Sequence, residues 1–171
     1  MPAPKWRRLI GTRWSSSRVD RLGMKTAGTI ASSMQITPTQ IDRWRVAASA
    51  FNLGTVYMAQ NGKRDDDFTP YLWKSTDYGD HWKSIVNNLP SGPVNVIRED
   101  PVNKDILYAG TDLGVYVTKN GGKKWSVLGG NAPQLFVHDL IIHPRDNILV
   151  IATHGRGMYA MDANPVNGGI K

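Results

Sequence analysis

The side chains able to do chemistry in these 171 residues are few. There is one glutamate, Glu99, and no cysteine, so thiolate nucleophiles, thiolate metal sites and disulfides are excluded. Inverting hydrolysis of a glycosidic bond needs two carboxyls about 6.5–9.5 Å apart across a cleft. Asp100, Asp112 and Asp139 are the candidates, but Asp100 precedes a turn proline, Pro101, and Asp112 lies in the tight TDLG turn at 111–114. Structural roles suffice for both. Asp65, Asp66 and Asp67 could offer oxygens to a calcium ion. Three adjacent acids cannot all face one ion, however, and the alternating spacing of a calcium loop is missing, so they read as a solvated loop tip. His138 and His143 fall at odd spacing on one expected strand, point to opposite faces and cannot share a metal. The most distinctive polar residues are His154 and Arg156, in THGRG at 153–157. Arg156 could serve an anion or a sugar as a two-pronged donor; in a hairpin turn, both residues can instead be satisfied by neighbouring strands. Neither a cofactor nor a metal is expected. His154, Arg156, Asp65, Asp66 and Asp67 stand as candidate binding residues, and no catalytic set is read.

What must position them is a repeat. Residues 75–82 read STDYGDHW, and forty-three positions later residues 118–125 read TKNGGKKW. Ser75 and Thr118 open the two copies. Asp77 and Asn120 can bond downstream backbone N–H groups and fix a turn. Gly79 and Gly122 permit positive φ where the chain folds back. Trp82 and Trp125 start the next strand and are expected to bury their rings against the same hairpin. The motif is a folding staple.

The same shift carries Asp100-Pro101 onto His143-Pro144, Gly114 onto Gly157 and Tyr116 onto Tyr159. Each unit has an apolar run (VNVIRED, FVHDLIIHP), a proline turn, a second run (ILYAG, ILVIAT) and a glycine-hinged third (GVYVT, GMYAM). Short strands at a period of about 40–45 residues predict the four-stranded blades of an all-β propeller. A looser copy precedes these: RVAASAF at 45–51, TVYMAQ at 55–60, PYLWKS at 70–75 and HWKSI at 81–85. It carries an eight-residue insertion within NGKRDDDFTP, between its second and third strands. Inserted loops at one rim are where binding residues collect.

The net charge of +7 is lodged near the start: residues 1–25 carry seven basic side chains, among them Lys5, Arg7, Arg8 and Arg13, against Asp20 alone. Such an arm can meet an acidic protein face or make peripheral contact with an anionic surface. With no interleaved aromatic platform, nucleic acid is disfavoured. The start lacks the apolar stretch of a signal peptide, and no apolar run approaches the ~20 residues of a membrane span. The chain divides into a basic arm with an outer strand and a degenerate blade over 1–40, and well-formed blades over 41–171.

The Ser/Thr-x-Asp/Asn-x-Gly-x-x-Trp pair resembles Asp-boxes, the BNR repeats of sialidase-like, xyloglucanase-like and sortilin-type β-propellers. Residues 41–162 as a whole are similar to the C-terminal blades of bacterial sortilin-like, glycosyl-hydrolase-like propeller proteins. The resemblance implies about three clear four-stranded blades plus a degenerate N-terminal one, in a propeller that is partial or completed by oligomerisation. It also implies export, to the periplasm or the cell exterior. Sialidases add an arginine triad, a Tyr–Glu nucleophile pair and an acid Asp, a set that one strand-end glutamate does not assemble. The expectation is therefore a non-catalytic binding or scaffold module, an accessory or assembly subunit whose partner is another protein or its own subunits. The alternative is a glycan-binding or glycoside-hydrolase-like propeller, or the closing fragment of one, with carbohydrate as ligand.

The last unit lacks a fourth strand, since Trp125 shifted by 43 lands on Gly168. Lys5-Trp6-x-x-Leu9-x-Gly11 repeats the pattern of Lys124-Trp125-x-x-Leu128-x-Gly130. Residues 5–10 are thus expected to form an outer strand on residues 157–161, in the same chain or a neighbour. Without it, the third strand would present a row of unpaired backbone groups.

Overall fold

Alternating apolar residues and closely spaced turn residues favour short strands throughout. The computed structural model describes residues 7–9, 43–129 and 134–168, and these form three antiparallel four-stranded sheets. The first blade runs β2 (Arg43–Ala48), β3 (Val56–Gly62), β4 (Asp67–Ser75) and β5 (Lys83–Ser84). The second runs β6 (Val94–Glu99), β7 (Leu107–Thr111), β8 (Gly114–Thr118) and β9 (Trp125–Val127). The third is β10 (Val137–His143), β11 (Ile148–Thr153), β12 (Gly157–Asp162) and, outermost, β1 (Arg7–Leu9). The inner strand β6 lies against both β2 and β10, so the blades follow one another in chain order. This is the all-β, partial-propeller arrangement that the repeat predicts.

Successive side chains of a strand point to opposite faces, and here the two faces serve two interfaces. In β7, Leu107 and Ala109 join Tyr57, Leu72, Ile97 and Trp125 between the first and second blades. Tyr108, between them in sequence, joins Val96, Val115, Leu140, Leu149 and Ile151 between the second and third. Full burial of one such side chain contributes about 1.5–3 kcal/mol. The hydrophobic cores of this molecule are therefore the seams between blades. Gly110 sets the width of one seam: a Cβ there would lie 2.7 Å from a methyl of Val96 and from one of Val137.

The outer strand of the third blade arrives from the far end of the sequence. Arg7, Arg8 and Leu9 run antiparallel to β12, opposite Ala160, Tyr159 and Met158. This is the pairing expected of residues 5–10, and it is made within one chain. Lys5, Arg13 and the degenerate blade expected before residue 41 lie outside the described residues.

One expectation needs correction. The insertion between the second and third strands of the first blade is not a free loop. β3 continues to Gly62, a single 3-10 turn at Lys63–Asp65 reverses the chain, and Asp66 takes a left-handed conformation (φ 57°) before β4 begins at Asp67. The added residues lengthen the hairpin, with Gly62 opposite Asp67, because strand pairing satisfies backbone groups that a loop leaves to water. Pro70, which cannot donate to a ladder, falls in the irregular stretch between the paired residues Asp67 and Tyr71. The segment after β12 forms no fourth strand, as expected, but it packs on the core. Ala163 and Val166 are buried against the second seam, and Asn167 Nδ2 donates to both oxygens of buried Asp100, at 3.4 and 3.2 Å.

Candidate functional site

The two eight-residue turns are built alike. The Ser75 hydroxyl donates to Asp77 Oδ1 (2.8 Å) and accepts the N–H of Gly79 (2.9 Å), while Asp77 Oδ1 also accepts the N–H of His81 (2.9 Å). In the second copy the Thr118 hydroxyl donates to Asn120 Oδ1 (2.8 Å) and accepts the N–H of Gly122 (3.1 Å), and Asn120 Oδ1 accepts the N–H of Lys124 (2.9 Å). One oxygen does this work, so Asp and Asn are interchangeable in it. The second oxygen of Asp77 meets His81 Nδ1 at 2.6 Å. The His81 backbone N–H first, then the His81 ring and the Ser75 hydroxyl, hold the Asp77 carboxyl well below the usual carboxylate range.

The tryptophans do not behave as a matched pair, which corrects the reading of both as staples on their own hairpin. Trp82 is half-buried and its ring N–H returns to Gly79 O in its own turn (3.0 Å). Trp125 is 3% exposed and its ring N–H donates to Ile85 O (2.8 Å), in the connection leaving the first blade. That connection binds the second turn at further points. Asn88 exchanges bonds with Trp125, Oδ1 accepting its N–H (2.7 Å) and Nδ2 donating to its carbonyl (2.8 Å), and Asn87 Nδ2 donates to Gly122 O.

A different set of residues gathers at the opposite ends of the strands. In the first two blades the eight-residue turn and the loop from first to second strand share one end, while in all three the hairpins β3–β4, β7–β8 and β11–β12 lie at the other, with the connections between blades. At that second end the strand register slips beside Asn61 in β3–β4, beside Asn95 in β6–β7 and beside His138 in β10–β11. A bulge re-aims a side chain. All three residues line a single cleft of about 420 Å³, together with Lys63, Arg64, Phe136 and His154.

The cleft wall is held by a chain of polar contacts across the blades. Asn61 Nδ2 donates to Asn95 Oδ1, and Asn95 Nδ2 donates to Asp112 Oδ1 (2.8 Å) and to Val137 O (3.0 Å). Asp112 Oδ2 accepts from Lys63 Nζ (3.1 Å), and the Lys63 backbone N–H returns to Asn61 Oδ1 (2.8 Å). The Lys63 ammonium also sits 4.7 Å from the centroid of the Phe136 ring, a cation–π distance. The His154 ring lies tilted against Phe136 with centroids 5.6 Å apart.

Of the residues singled out from sequence, His154 lines the cleft, whereas Arg156 is exposed on the same turn and does not line it. Asp65 and Asp66 are exposed at the hairpin tip. Asp67 accepts the N–H of Thr69 (2.9 Å) and the hydroxyl of Tyr71 (2.8 Å), which lower its pKa in that order and bind it to its own hairpin. Arg7 and Arg8 are on the outermost strand of the third blade. Asn61, Lys63, Arg64, Asn95 and Phe136 were not read from sequence. The legible signal was a polar residue heading an apolar inner strand at the repeat spacing, Asn95 in VNV and His138 in VHD.

Three further carboxylates, Glu99, Asp100 and Asp139, join strands or blades. Glu99 accepts from Ser49 Oγ (2.9 Å), the Ala50 N–H (2.8 Å) and the Tyr57 hydroxyl (3.0 Å). Burial, then Glu99, pushes the Tyr57 hydroxyl far above its ordinary pKa. Asp100, fully buried, accepts the Tyr108 hydroxyl (2.9 Å), and burial followed by Asp100 raises that hydroxyl too. Asp139 stands between Arg98 (3.4 Å) and Arg45 (3.8 Å), so the three inner strands each supply one member of an ion cluster. Among the described residues, no three His, Asp or Glu side chains gather where they could hold a metal ion. Among them, too, no helix is long and apolar enough to cross a membrane.

No protein-family model matches the chain, and no curated protein matches its sequence. Solved structures do match its shape. An ancestral GH74 enzyme superposes on 64% of the chain at 24% identity with a TM-score of 0.54. The GH74 xyloglucanase of Xanthomonas campestris covers 71% at 15% identity with a TM-score of 0.52. YCF48 bound to a D1 peptide covers 68% at 18% identity, with a TM-score of 0.48. The chain spans 13%, 20% and 34% of those proteins respectively. What it shares with the two GH74 enzymes is the β-propeller fold.

Proposed function

We propose that the chain is a non-catalytic binding module, a propeller segment that presents the three-blade cleft to a protein partner as an accessory or assembly subunit. The two eight-residue turns are, in this reading, Asp-boxes that stiffen the opposite ends of the blades. The observation that carries the proposal is the convergence of three bulged side chains, Asn61, Asn95 and His138, from three blades on one cleft. Repeat scaffolds bind through surfaces that several repeats build together. The carboxylates an acid–base mechanism would draw on hold the scaffold instead: Glu99, Asp100, Asp112 and Asp139 each accept bonds that join strands or blades. A tyrosine raised in pKa by burial and by Glu99 is a poorer nucleophile than a free one. Export to the periplasm or cell exterior belongs to the same proposal.

The test is capture from native membranes and soluble extract by the wild-type chain and by a His138→Ala/His154→Ala variant, with mass determination of the intact complex. A stoichiometric protein partner retained by the wild type and lost by the variant supports the cleft as the binding site. Equal capture removes the cleft from the proposal. The competing reading, a glycan-binding or glycoside-hydrolase-like propeller or its closing fragment, predicts that neutral oligosaccharides bind the wild type or are cleaved by it.

A further inference from the structure

The cleft's chemistry narrows the kind of partner, on the premise that it binds a protein at all. Its charged and titratable groups come from four elements. The β3–β4 hairpin supplies Lys63 and Arg64, and the head of β10 and the β11–β12 turn supply His138 and His154. The β7–β8 turn supplies Asp112, which is paired with Lys63 at 3.1 Å. The two side-chain amides of the cleft are engaged with the scaffold. Asn61 Nδ2 is given to Asn95, and Asn95 Nδ2 is given to both Asp112 and Val137. Phe136, the aromatic ring lining the cleft, has Lys63 over its face and His154 against it. A sugar ring would find that stacking surface occupied. The cleft's cations are the Lys63 ammonium, held between Asp112 and Phe136, and the Arg64 guanidinium at its mouth, with the two imidazoles as further polar groups beside them.

We infer that the cleft receives an acidic peptide segment of the partner, with a Glu or Asp carboxylate docking against Lys63 and Arg64 beside the imidazoles. Asp112 then has two roles that oppose each other. It holds Lys63 in place, and it competes with the incoming carboxylate for the ammonium.

That opposition gives the test. Fluorescence anisotropy with a short fluorescein-labelled Glu-Gly peptide should show saturable binding that weakens with added salt, and the Gln-Gly counterpart should not bind. Lys63→Gln and Arg64→Gln should each weaken binding about tenfold, the size of one charge-assisted hydrogen bond. Asp112→Asn keeps an acceptor for Asn95 and frees Lys63, so it should bind the acidic peptide several-fold more tightly. A purely structural role for Asp112 gives the reverse. Thermal melts of each variant identify any loss that is only unfolding, and Arg64, an exposed side chain, supplies a second variant. Equal binding of the two peptides, or unchanged affinity in both Lys63→Gln and Arg64→Gln, would overturn the inference. If the acidic peptide fails while partner capture still depends on His138 and His154, the binding-module reading stands and the acidic segment falls. Displacement of the labelled peptide by a neutral oligosaccharide overturns both.

Discussion

Residues 75–82 and 118–125 fold into one turn twice, with the same Ser/Thr and Asp/Asn bonds to the backbone, in two different settings. Tyr78 and Gly121 occupy the same place: the Tyr78 N–H donates to Gly54 O and the Gly121 N–H to Asp105 O, each at 2.8 Å, and both residues have positive φ (60° and 66°). The first turn ends at the rim, with Tyr78 66% exposed and Trp82 folded back on Gly79. The second is seated on the connection from the preceding blade through Ile85, Asn87 and Asn88. The local motif therefore specifies the turn, and the neighbouring blade decides what the turn is worth.

Substitutions at matching positions should separate these contributions. The widest gap is expected at the tryptophans. Trp125→Ala removes a buried ring and the bond to Ile85, and should destabilise by about 3–5 kcal/mol. Trp82→Ala, with its ring partly in solvent, should lose roughly 1 kcal/mol; chemical denaturation of both variants measures the gap, and equal losses would mean that the setting does not matter. Next come the glycines, both at φ 93°. A Cβ on Gly122 would sit 2.9 Å from the Ile85 Cβ, whereas on Gly79 the nearest atom is 3.4 Å away on the Trp82 ring. Both alanine variants carry the strain of positive φ, about 1 kcal/mol, and Gly122→Ala should lose about 1–3 kcal/mol more through the clash at the seam.

Asn120→Ala strips the second turn of its acceptor and should cost about 1–2 kcal/mol without dependence on pH. Asp77→Ala should destabilise as well, but by an amount that varies with acidity. The folded Asp77 carboxyl is held below its ordinary range, so its contribution is present above the unfolded value near 3.9 and fades as pH falls towards the folded one. Melting curves from neutral to strongly acidic pH should show the gap between wild type and Asp77→Asn closing in that acidic window. Asp77→Asn itself should keep the turn, as Asn120 does in the other copy. The smallest effect is expected for exposed His81→Ala, within about 0.5 kcal/mol; a larger loss would give the imidazole contact a weight that the second turn manages without.

The repeat made the blades legible because strand period, turn residues and the 43-residue spacing all point the same way. The closing strand was legible too, since Lys5-Trp6-x-x-Leu9 copies Lys124-Trp125-x-x-Leu128 and an open edge on β12 needs a partner. The cleft was not. Its residues are brought together by register slips, and whether a strand bulges depends on cross-strand packing that one strand's sequence does not display. Asn87 and Asn88 escaped for a related reason: in sequence they look like loop residues, and only the seat under Trp125 explains them. The insertion was located correctly but read as a loop, because NGKRDDD has turn composition and the pairing of Gly62 with Asp67 is a property of the hairpin as a whole.

The position of β1 has a consequence for how the molecule reaches and leaves this state. Three residue pairs join it to β12, across a loop of roughly 150 residues whose closure costs about 4 kcal/mol in chain entropy. Each other strand pair joins segments close in sequence, so local hairpins can form early while β1 must wait for β12 to be synthesised and folded. The same imbalance runs backwards. β1 should be the first strand to detach, in an opening that leaves the seams intact. Detachment bares the outer edge of β12, a place where an identical strand from another molecule could take over without any change in sequence. Concentrated or gently heated protein should then exchange strands between chains, giving dimers in which residues 7–9 of one molecule pair with β12 of the other.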